Sequence, residues 1–349
     1  MDKFFSVLLF FVPIAFIVAA ASTSPALIFF TSAIAIVPLA KFIGEATEEL
    51  AARTSSALGG LLNVTFGNAT ELIIGIIALS QGLTDVVKAS ITGSIIGNLL
   101  LVLGMAIFFG GLKRERQHFN STAAKVSVST LLLVMTSLAV PALFLFTSPG
   151  VTSDIIEDVS LIGAVLLLLG YAASLLFTLR THNHLYVGAE LAKYEPRWST
   201  HKSLWVLVGA TIGVALLSEI LVGSIEPLVV SFGWTQLFIG VIFVAIIGNA
   251  AEHASAITVA MRDKMDLSLQ IATGSATQIA MFVTPVLVLL SLPLMHPMNL
   301  VFDTFELACM LFSVFVVNSI IEDGESNWLE GFQLLLAYGV MAVAFFFHP

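Results

Sequence analysis

The segment GNATE at residues 67–71 lies inside a long apolar stretch, and it recurs 181 positions later as GNAAE at residues 248–252. The second copy also lies in an apolar stretch. The same offset carries the triplet TGS at 92–94 onto TGS at 273–275. Two matches that share one offset are difficult to obtain by chance, so they indicate an internal repeat.

The composition around these segments is typical of an integral membrane protein. Of the 349 residues, 58% are hydrophobic and 11% are charged, against about 45–50% and about 25% in ordinary soluble domains. A soluble domain this apolar would expose large patches and aggregate, whereas a lipid-facing surface removes that problem. The net charge of −9 argues against a nucleic-acid partner. The single cysteine, Cys309, excludes both an internal disulfide and a Cys-rich zinc site.

Eleven segments are apolar over about the 20 residues that a membrane-spanning helix needs. The sequence therefore predicts an all-α integral membrane protein with about eleven transmembrane helices. The predicted spans are residues 4–21, 26–43, 57–80, 88–110, 124–146, 158–180, 203–223, 234–260, 268–294, 300–320 and 330–347.

We expect two five-helix repeats and one additional helix before them. Residues 1–23 hold the additional helix, 24–180 the first repeat, 181–202 a polar cytoplasmic linker and 203–349 the second repeat. A cleaved secretory signal is the alternative for the first span, because Lys3, an apolar run and small residues follow that pattern. The apolar run is long for a signal, which favours a retained helix.

The distribution of lysine and arginine predicts the orientation of the chain. With a cytoplasmic N-terminus, all but one of the 14 basic residues fall on cytoplasmic segments, and only Lys88 lies outside. The positive-inside rule then places the C-terminus outside. Five spans separate the matching helices, an odd number, so the two repeats run in opposite directions. Inverted repeats of this kind hold their coupled ion sites near the bilayer midplane.

Glu71 and Glu252 are the acids that the repeat relates. An isolated charge at the centre of a membrane helix costs at least about 2.5–3.5 kcal/mol, so such an acid is a functional candidate. The alternative for a single glutamate is a protonated carboxyl that joins two helices by a hydrogen bond. Two glutamates at related positions favour a site, and each has an asparagine, Asn68 or Asn249, three residues earlier on the same helix face.

The predicted site offers oxygen ligands and no soft ones. Calcium takes six to eight oxygen ligands, and two carboxylates neutralise its charge. Zinc and copper would favour histidine or cysteine, while manganese remains an alternative. The predicted metal ligands are Glu71, Glu252, Asn68 and Asn249, and the other predicted lining residues are Ser94, Asn98, Ser275, Gln278, Gly67 and Gly248.

Further residues are candidates for a proton or ion path. The alternatives are a hydrogen-bonded core position for the histidine and interfacial positions near span ends for the acids. Glu226 aligns with Glu45 at the repeat offset, or with Glu48 if the alignment slips by three residues. The path candidates are His253, Glu48, Glu226, Glu219 and Glu306.

Sequence signatures of enzymes are missing. The chain has no His-Glu-x-x-His motif and no P-loop, and it has no Gly-x-Ser-x-Gly nucleophile elbow. We therefore expect an ion transporter that has no cofactor and is driven by a second ion.

The segments GNATELIIGIIAL at 67–79 and GNAAEHASAITVA at 248–260 resemble the paired repeat motifs of the calcium/proton exchangers. These exchangers form a branch of the calcium/cation antiporter superfamily, and the resemblance continues through residues 93–104 and 274–285. Sodium/calcium exchangers share the inverted architecture but carry a different signature with a proline, which both segments lack. The resemblance implies ten core helices with an extra first helix, and it implies that Glu71 and Glu252 bind the cation and exchange protons.

The implied function is export of cytosolic Ca²⁺ in exchange for H⁺ by alternating access. Burial disfavours a charged carboxyl, so we expect both glutamates to be protonated in the empty site, and entering Ca²⁺ to displace those protons. The simplest count is two protons per calcium ion. A sodium-coupled exchanger of the same fold, a channel and an intramembrane hydrolase are the alternatives.

The resemblance and the composition also predict the partners and the location of the protein. The expected partners are Ca²⁺, protons and the lipid bilayer, with no nucleic acid, and a homo-oligomer is left open. A bacterial plasma membrane is the expected location.

Overall fold

The computed structural model describes residues 3–54, 56–182 and 196–348, which are almost entirely α-helical. Most of the predicted linker, residues 183–195, lies outside the described residues. A short antiparallel pair joins β1 (Gln117–His118) to β2 (Glu325–Ser326). The helices are α1 (Lys3–Leu8), α2 (Phe11–Ala21), α3 (Pro25–Ala51), α4 (Ser56–Gly67), α5 (Ala69–Ser80), α6 (Thr84–Gly111), α7 (Ser121–Thr147), α8 (Ser153–Thr181), α9 (Thr200–Gly223), α10 (Ile225–Phe232), α11 (Gln236–Met261), α12 (Met265–Ser291), α13 (Thr304–Ile320) and α14 (Trp328–Phe347).

Every predicted span corresponds to helix, which confirms the predicted helical membrane fold. Eight helical segments of the described chain are long and apolar enough to cross a membrane, with α9 and α10 counted as one. The pair α4 and α5, bent by 47° at their junction, gives a ninth. The two remaining predicted spans, Phe5–Ala21 and α13, are shorter apolar helices. The count of eleven membrane crossings therefore stays a prediction.

Two of the predicted spans are interrupted. The span predicted at 4–21 is divided between α1 and α2 by a turn at Leu9 and Phe10. The span predicted at 57–80 breaks at Asn68, whose φ of −100° and ψ of 19° lie outside the helical region. Glycine is a weak helix former, and asparagine competes for backbone hydrogen bonds, so Gly67 followed by Asn68 allows a break at this position.

Four helices, α5, α6, α11 and α12, contact one another in every combination and form the centre of the molecule. Around them α3 packs along α9, and α7 packs along α13. On the outside α8 lies against α12, while α14 lies against α6. The repeat offset relates α3 to α9 and α7 to α13, and it relates the pair α8 and α12 to the pair α14 and α6. The packing therefore supports the predicted division into repeats, which stays a prediction.

Close backbone contact between α6 and α11 fixes the centre of this bundle. A Cβ atom at Gly93 would collide with the backbone carbonyl of Val241, and one at Gly240 would collide with the Cβ of Ala89. Glycine is thus required at both crossing points. Ser94, which follows Gly93, is thereby held against α11.

Three central helices, α6, α11 and α12, each contain one wider, π-helical segment, at residues 97–102, 239–244 and 279–283. The segments of α6 and α12 occupy nearly the same position in the predicted repeats. Wider turns of this kind are frequent at functional sites. Both segments adjoin polar residues of the predicted site.

Candidate cation site

Glu71 and Glu252 face each other across the centre of the bundle. Glu71 lies in the first turn of α5, directly after the break, and Glu252 lies in the middle of α11. A Cβ atom built on Gly248 would lie 3.1 Å from Cγ of Glu71, and one built on Gly67 would lie 3.9 Å from Oε1 of Glu252. Each carboxylate therefore lies over the glycine of the other copy of the motif. The two predicted acids are brought together.

A network of amides and hydroxyls connects three of the central helices beside the glutamates. Asn249 Nδ2 in α11 donates to Ser94 Oγ in α6 at 2.8 Å and to the carbonyl of Ala245 at 2.9 Å. Asn98 Nδ2 in α6 donates to Ser275 Oγ in α12 at 3.0 Å and to Asn249 Oδ1 at 3.3 Å. All four predicted residues are buried, so the network holds their oxygens in fixed positions.

The related asparagine of the first repeat makes a different contact. Asn68 Nδ2 donates to Gln278 Oε1 in α12 at 2.6 Å. This bond ties the broken junction of α4 and α5 to α12. All the predicted amide and hydroxyl residues thus lie in two hydrogen-bonded clusters that flank the glutamate pair.

Several buried acceptor oxygens of the site are left without a hydrogen bond. Both carboxylate oxygens of Glu71, Oε2 of Glu252 and Oδ1 of Asn98 have no partner in the described part of the chain. Nearly all buried polar atoms in proteins are partnered, and an unsatisfied one costs about 1–3 kcal/mol. A cation or protons between the two carboxylates would satisfy these oxygens.

The donor set is small and consists of hard oxygen atoms. No three His, Cys, Asp or Glu side chains of the described residues group closely enough to hold a metal ion. Two carboxylates with amide and hydroxyl oxygens are therefore what the centre can offer. Such a set suits a divalent cation that prefers oxygen and is bound reversibly.

Access to the pair differs between the two ends of the bundle. At the end where α3 finishes and α4 begins, a cavity of about 430 Å³ leads to Glu252, Ser275 and Gln278. Towards the other end, Glu71 and Ser94 border a crevice of only about 10 Å³. We call the first cavity the vestibule. Its other lining residues include Lys41, Gly44, Glu45, Glu48, Gly67 and Gly248.

The candidates for a proton or ion path separate in the structure. Glu48 lines the vestibule, and His253, next to Glu252, is buried with no partner for Nε2 among the described residues. Glu219 and Glu226 have exposed positions and do not line the vestibule. Glu306 is buried at the start of α13 and accepts from Thr92 Oγ1 at 2.9 Å. Of this group, only Glu48 therefore lines the vestibule that leads to Glu252, and His253 is its buried neighbour in α11.

Sequence reasoning missed several polar residues of the vestibule. Thr70, Asn63, Ser255 and Gln270 also line it. Ser255 follows Glu252 by three residues, a spacing that places both on one helix face and could have identified it. Asn63 lies in α4, where nothing in the apolar pattern distinguishes the inward face.

Comparison with known proteins gives one family. The family described as sodium/calcium exchanger protein matches residues 24–180 and 202–347. A Ca(2+)/H(+) antiporter of Synechocystis sp. (strain ATCC 27184 / PCC 6803 / Kazusa) is 48% identical over 365 residues, which cover 100% of this chain and 98% of that protein. The Ca(2+)/H(+) antiporter ChaA of Bacillus subtilis (strain 168) is 45% identical and covers 92% of both chains. The structure of native YfkE matches with a TM-score of 0.87 and 42% identity, over 99% of this chain and 100% of that one.

Proposed function

We propose that this chain, which belongs to the sodium/calcium exchanger protein family, is a secondary active antiporter that exports cytosolic Ca²⁺ in exchange for H⁺. It is a transporter and not an enzyme. The assignment of the site rests on one observation. Buried carboxylate oxygens of Glu71 and Glu252 that lack a hydrogen-bond partner lie together at the end of a cavity that opens to one face of the protein.

The choice of ions rests on the relatives and on the chemistry of the donors. The Synechocystis and Bacillus relatives are named as Ca²⁺/H⁺ antiporters, at 48% and 45% identity. A sodium-coupled exchange is less supported. Hard oxygen donors with two carboxylates suit Ca²⁺ and also take up protons, so a single site can carry both substrates at different times.

The pair couples the two ions through its charge. Two protonated glutamates are neutral, and two ionised glutamates with one Ca²⁺ are also neutral. A bare pair would carry two negative charges into a region of low dielectric constant, which costs several kcal/mol. Only the two neutral forms can rearrange across the membrane, so Ca²⁺ leaves only when protons replace it. Glu71 and Glu252 are the exchanging groups, and Asn68, Asn249, Ser94, Asn98, Ser275 and Gln278 line the site.

Two inverted repeats, residues 24–180 and 203–349, provide the alternating access. The open vestibule at one end and the narrow crevice at the other end support a state that faces one side only. Exchange of the roles of the two repeats would open the opposite end. The distribution of basic residues makes the open end cytoplasmic, with the N-terminus inside and the C-terminus outside. The bacterial relatives support a location in the plasma membrane.

Calcium uptake into proteoliposomes under an imposed pH gradient tests this function. We expect uptake that follows the gradient, stops with a protonophore and is unchanged by sodium. Uptake that follows a sodium gradient instead would keep the site and change the coupling ion. Absence of Ca²⁺ movement under both gradients would refute the assignment, and Mn²⁺ would be the next ion to measure.

A further inference from the structure

A second polar cavity lies at the end of the bundle opposite the vestibule. It has a volume of about 330 Å³ and is situated where α6, α11 and α13 begin. Its charged and titratable lining residues are Asp85, Lys88, Asp303, Glu306 and His348. We call it the outer cavity. By the predicted orientation, Ca²⁺ leaves the protein at this end.

Lys88 lies in this cavity as a tethered cation. Its Nζ donates to Asn299 Oδ1 at 2.7 Å and to the carbonyl of Val301 at 2.8 Å. It also interacts electrostatically with Asp85 and Glu306. The ammonium group therefore bonds to an amide oxygen and a carbonyl oxygen, and two carboxylates that line the same cavity act on it through their charge. Oxygen groups of these kinds also bind Ca²⁺.

Two hydrogen bonds fix the carboxyl group of Glu306, the buried acid of the outer cavity. Glu306 is 3% exposed. Its Oε1 accepts from Thr92 Oγ1 at 2.9 Å, and its Oε2 accepts from the backbone N–H of Asp303 at 3.0 Å. These two bonds hold its negative charge at the start of α13.

The outer cavity and the crevice beside Glu71 are both lined by residues of α6. Along α6, Asp85, Lys88, Ile91 and Ser94 are spaced by three residues and follow one ridge of the helix. Asp85 and Lys88 line the outer cavity, while Ile91 and Ser94 line the crevice beside Glu71. Ile91, which is 2% exposed, lies on this ridge between Lys88 of the outer cavity and Ser94 of the crevice. The cavity is thus at the outer end of the route that the crevice continues.

The charges at this end break the symmetry of the predicted repeats. Asp85 and Thr92 have the same residue types at their related positions, Asp266 and Thr273. Lys88, in contrast, corresponds to Leu269, and Glu306 corresponds to Lys125. A lysine and an acid that line one cavity therefore occur at the outer end and not at the related positions of the inner end.

We propose that Lys88 is a specificity-determining residue of the outer route, and this proposal rests on the proposed Ca²⁺/H⁺ exchange. Its ammonium group occupies the place that a divalent cation would take among Asp85, Glu306, Asn299 and Val301. Ca²⁺ that leaves the glutamate pair then meets a cavity that is already neutralised, and it is released instead of bound a second time. Protons from outside are not retained either, because the positive charge of Lys88 favours the ionised form of both acids.

Transport measured separately from each face tests this role. For Lys88→Met we expect the half-saturating Ca²⁺ concentration at the outer face to fall by about fivefold, as one unit charge acting on a divalent ion across roughly 8 Å of water would give. The inner-face value should stay unchanged, and Lys88→Arg should resemble the wild type. Lys125→Met, an exposed lysine on α7, is the matched control and should change neither value. Equal changes at both faces in Lys88→Met, or none, would overturn the proposal.

A binding measurement separates this proposal from the proposed function. In the double variant Glu71→Gln/Glu252→Gln, equilibrium dialysis with radiolabelled Ca²⁺ reports only sites outside the central pair. We expect no bound Ca²⁺ there, gain of one weak site when Lys88→Met is added, and loss of that site when Glu306→Gln is added as well. No gain with Lys88→Met would refute the role of Lys88. A wild type that fails to exchange Ca²⁺ for H⁺ would refute the proposed function and leave this binding result interpretable.

Discussion

In the proposed site Glu71 and Glu252 act through their charge, so removal of either charge should stop transport. In Glu71→Gln or Glu252→Gln, a bound Ca²⁺ leaves the centre with a net positive charge, which costs at least about 2.5–3.5 kcal/mol in a membrane interior. We therefore expect proton-driven Ca²⁺ uptake by each variant to fall on the order of 100-fold.

Glutamine keeps the size of the side chain, so the fold should survive in both variants. Thermal unfolding in detergent should give midpoints close to that of the wild type. Glu322→Gln, at an exposed loop position, is the control and should transport normally. Retained exchange in both single variants would remove the glutamates from the mechanism.

Gly248 provides the space that the Glu71 side chain occupies. In Gly248→Ala the new Cβ would lie 3.1 Å from Cγ of Glu71, so the carboxylate has to shift. Overpacking a close contact costs about 1–3 kcal/mol, and we expect the half-saturating Ca²⁺ concentration to rise by about fivefold or more. Gly209→Ala, where a Cβ would meet nothing within 4 Å, should leave that concentration unchanged. Equal values in the two variants would contradict this packing role.

At the scale of single helices, the local sequence predicts the spans but not their breaks. Gly67 and Asn68 have the same residue types as Gly248 and Asn249, yet α4 and α5 are separate helices while α11 is continuous. Asn249 Nδ2 bonds to the carbonyl of Ala245 in its own helix, whereas Asn68 Nδ2 bonds to Gln278 in α12. Contacts between helices decide the difference, and one sequence without a structure does not contain them.

The helices α3 and α9 are joined by a buried acid that the sequence did not identify. Glu49, which is 1% exposed, accepts from the backbone N–H groups of Arg197 and Trp198 at 3.0 Å each. These residues directly precede α9. Glu49 therefore anchors the end of the predicted linker, just before α9, to the end of α3.

Glu49→Ala should weaken this attachment. Hydrogen bonds to charged groups contribute about 1.5–3 kcal/mol each, so loss of both should lower the free energy of unfolding by about 3–6 kcal/mol. Amide hydrogen exchange should accelerate at the start of α9. Glu48→Ala, at the adjacent exposed position, is the matched control for stability. Equal unfolding midpoints in the two variants would show that the attachment contributes nothing.

At the scale of the whole molecule, the repeat made the meeting of two glutamates predictable from sequence. One offset relates Glu71 to Glu252, and the inverted orientation that it predicts would bring both to the centre, where the structure has them. The acids outside the repeat motif were less predictable. Glu219 and Glu226 have exposed positions, and Glu306 packs against Thr92. An apolar background shows that an acid lies in a span, but it does not show which neighbour the acid faces.

The stoichiometry follows from the number of acids that exchange protons at the centre. If only Glu71 and Glu252 take part, two protons cross for each Ca²⁺ and no net charge moves. A pH difference of one unit should then sustain a Ca²⁺ concentration ratio of about 100-fold at equilibrium, because the ratio equals the square of the proton ratio. Proteoliposomes with a fixed pH gradient and a Ca²⁺-sensitive dye inside give this ratio directly.

A membrane potential set with potassium and valinomycin distinguishes two exchanged protons from three. With two, a potential of 100 mV should leave the final Ca²⁺ ratio unchanged. With a third proton, one net charge would move, which is worth about 2.3 kcal/mol per 100 mV and would change the ratio by about 50-fold. Of the path candidates, Glu48 lines the vestibule, so Glu48→Gln should then restore a ratio independent of potential. If the Ca²⁺ ratio of the wild type does not change with the potential, only Glu71 and Glu252 exchange protons.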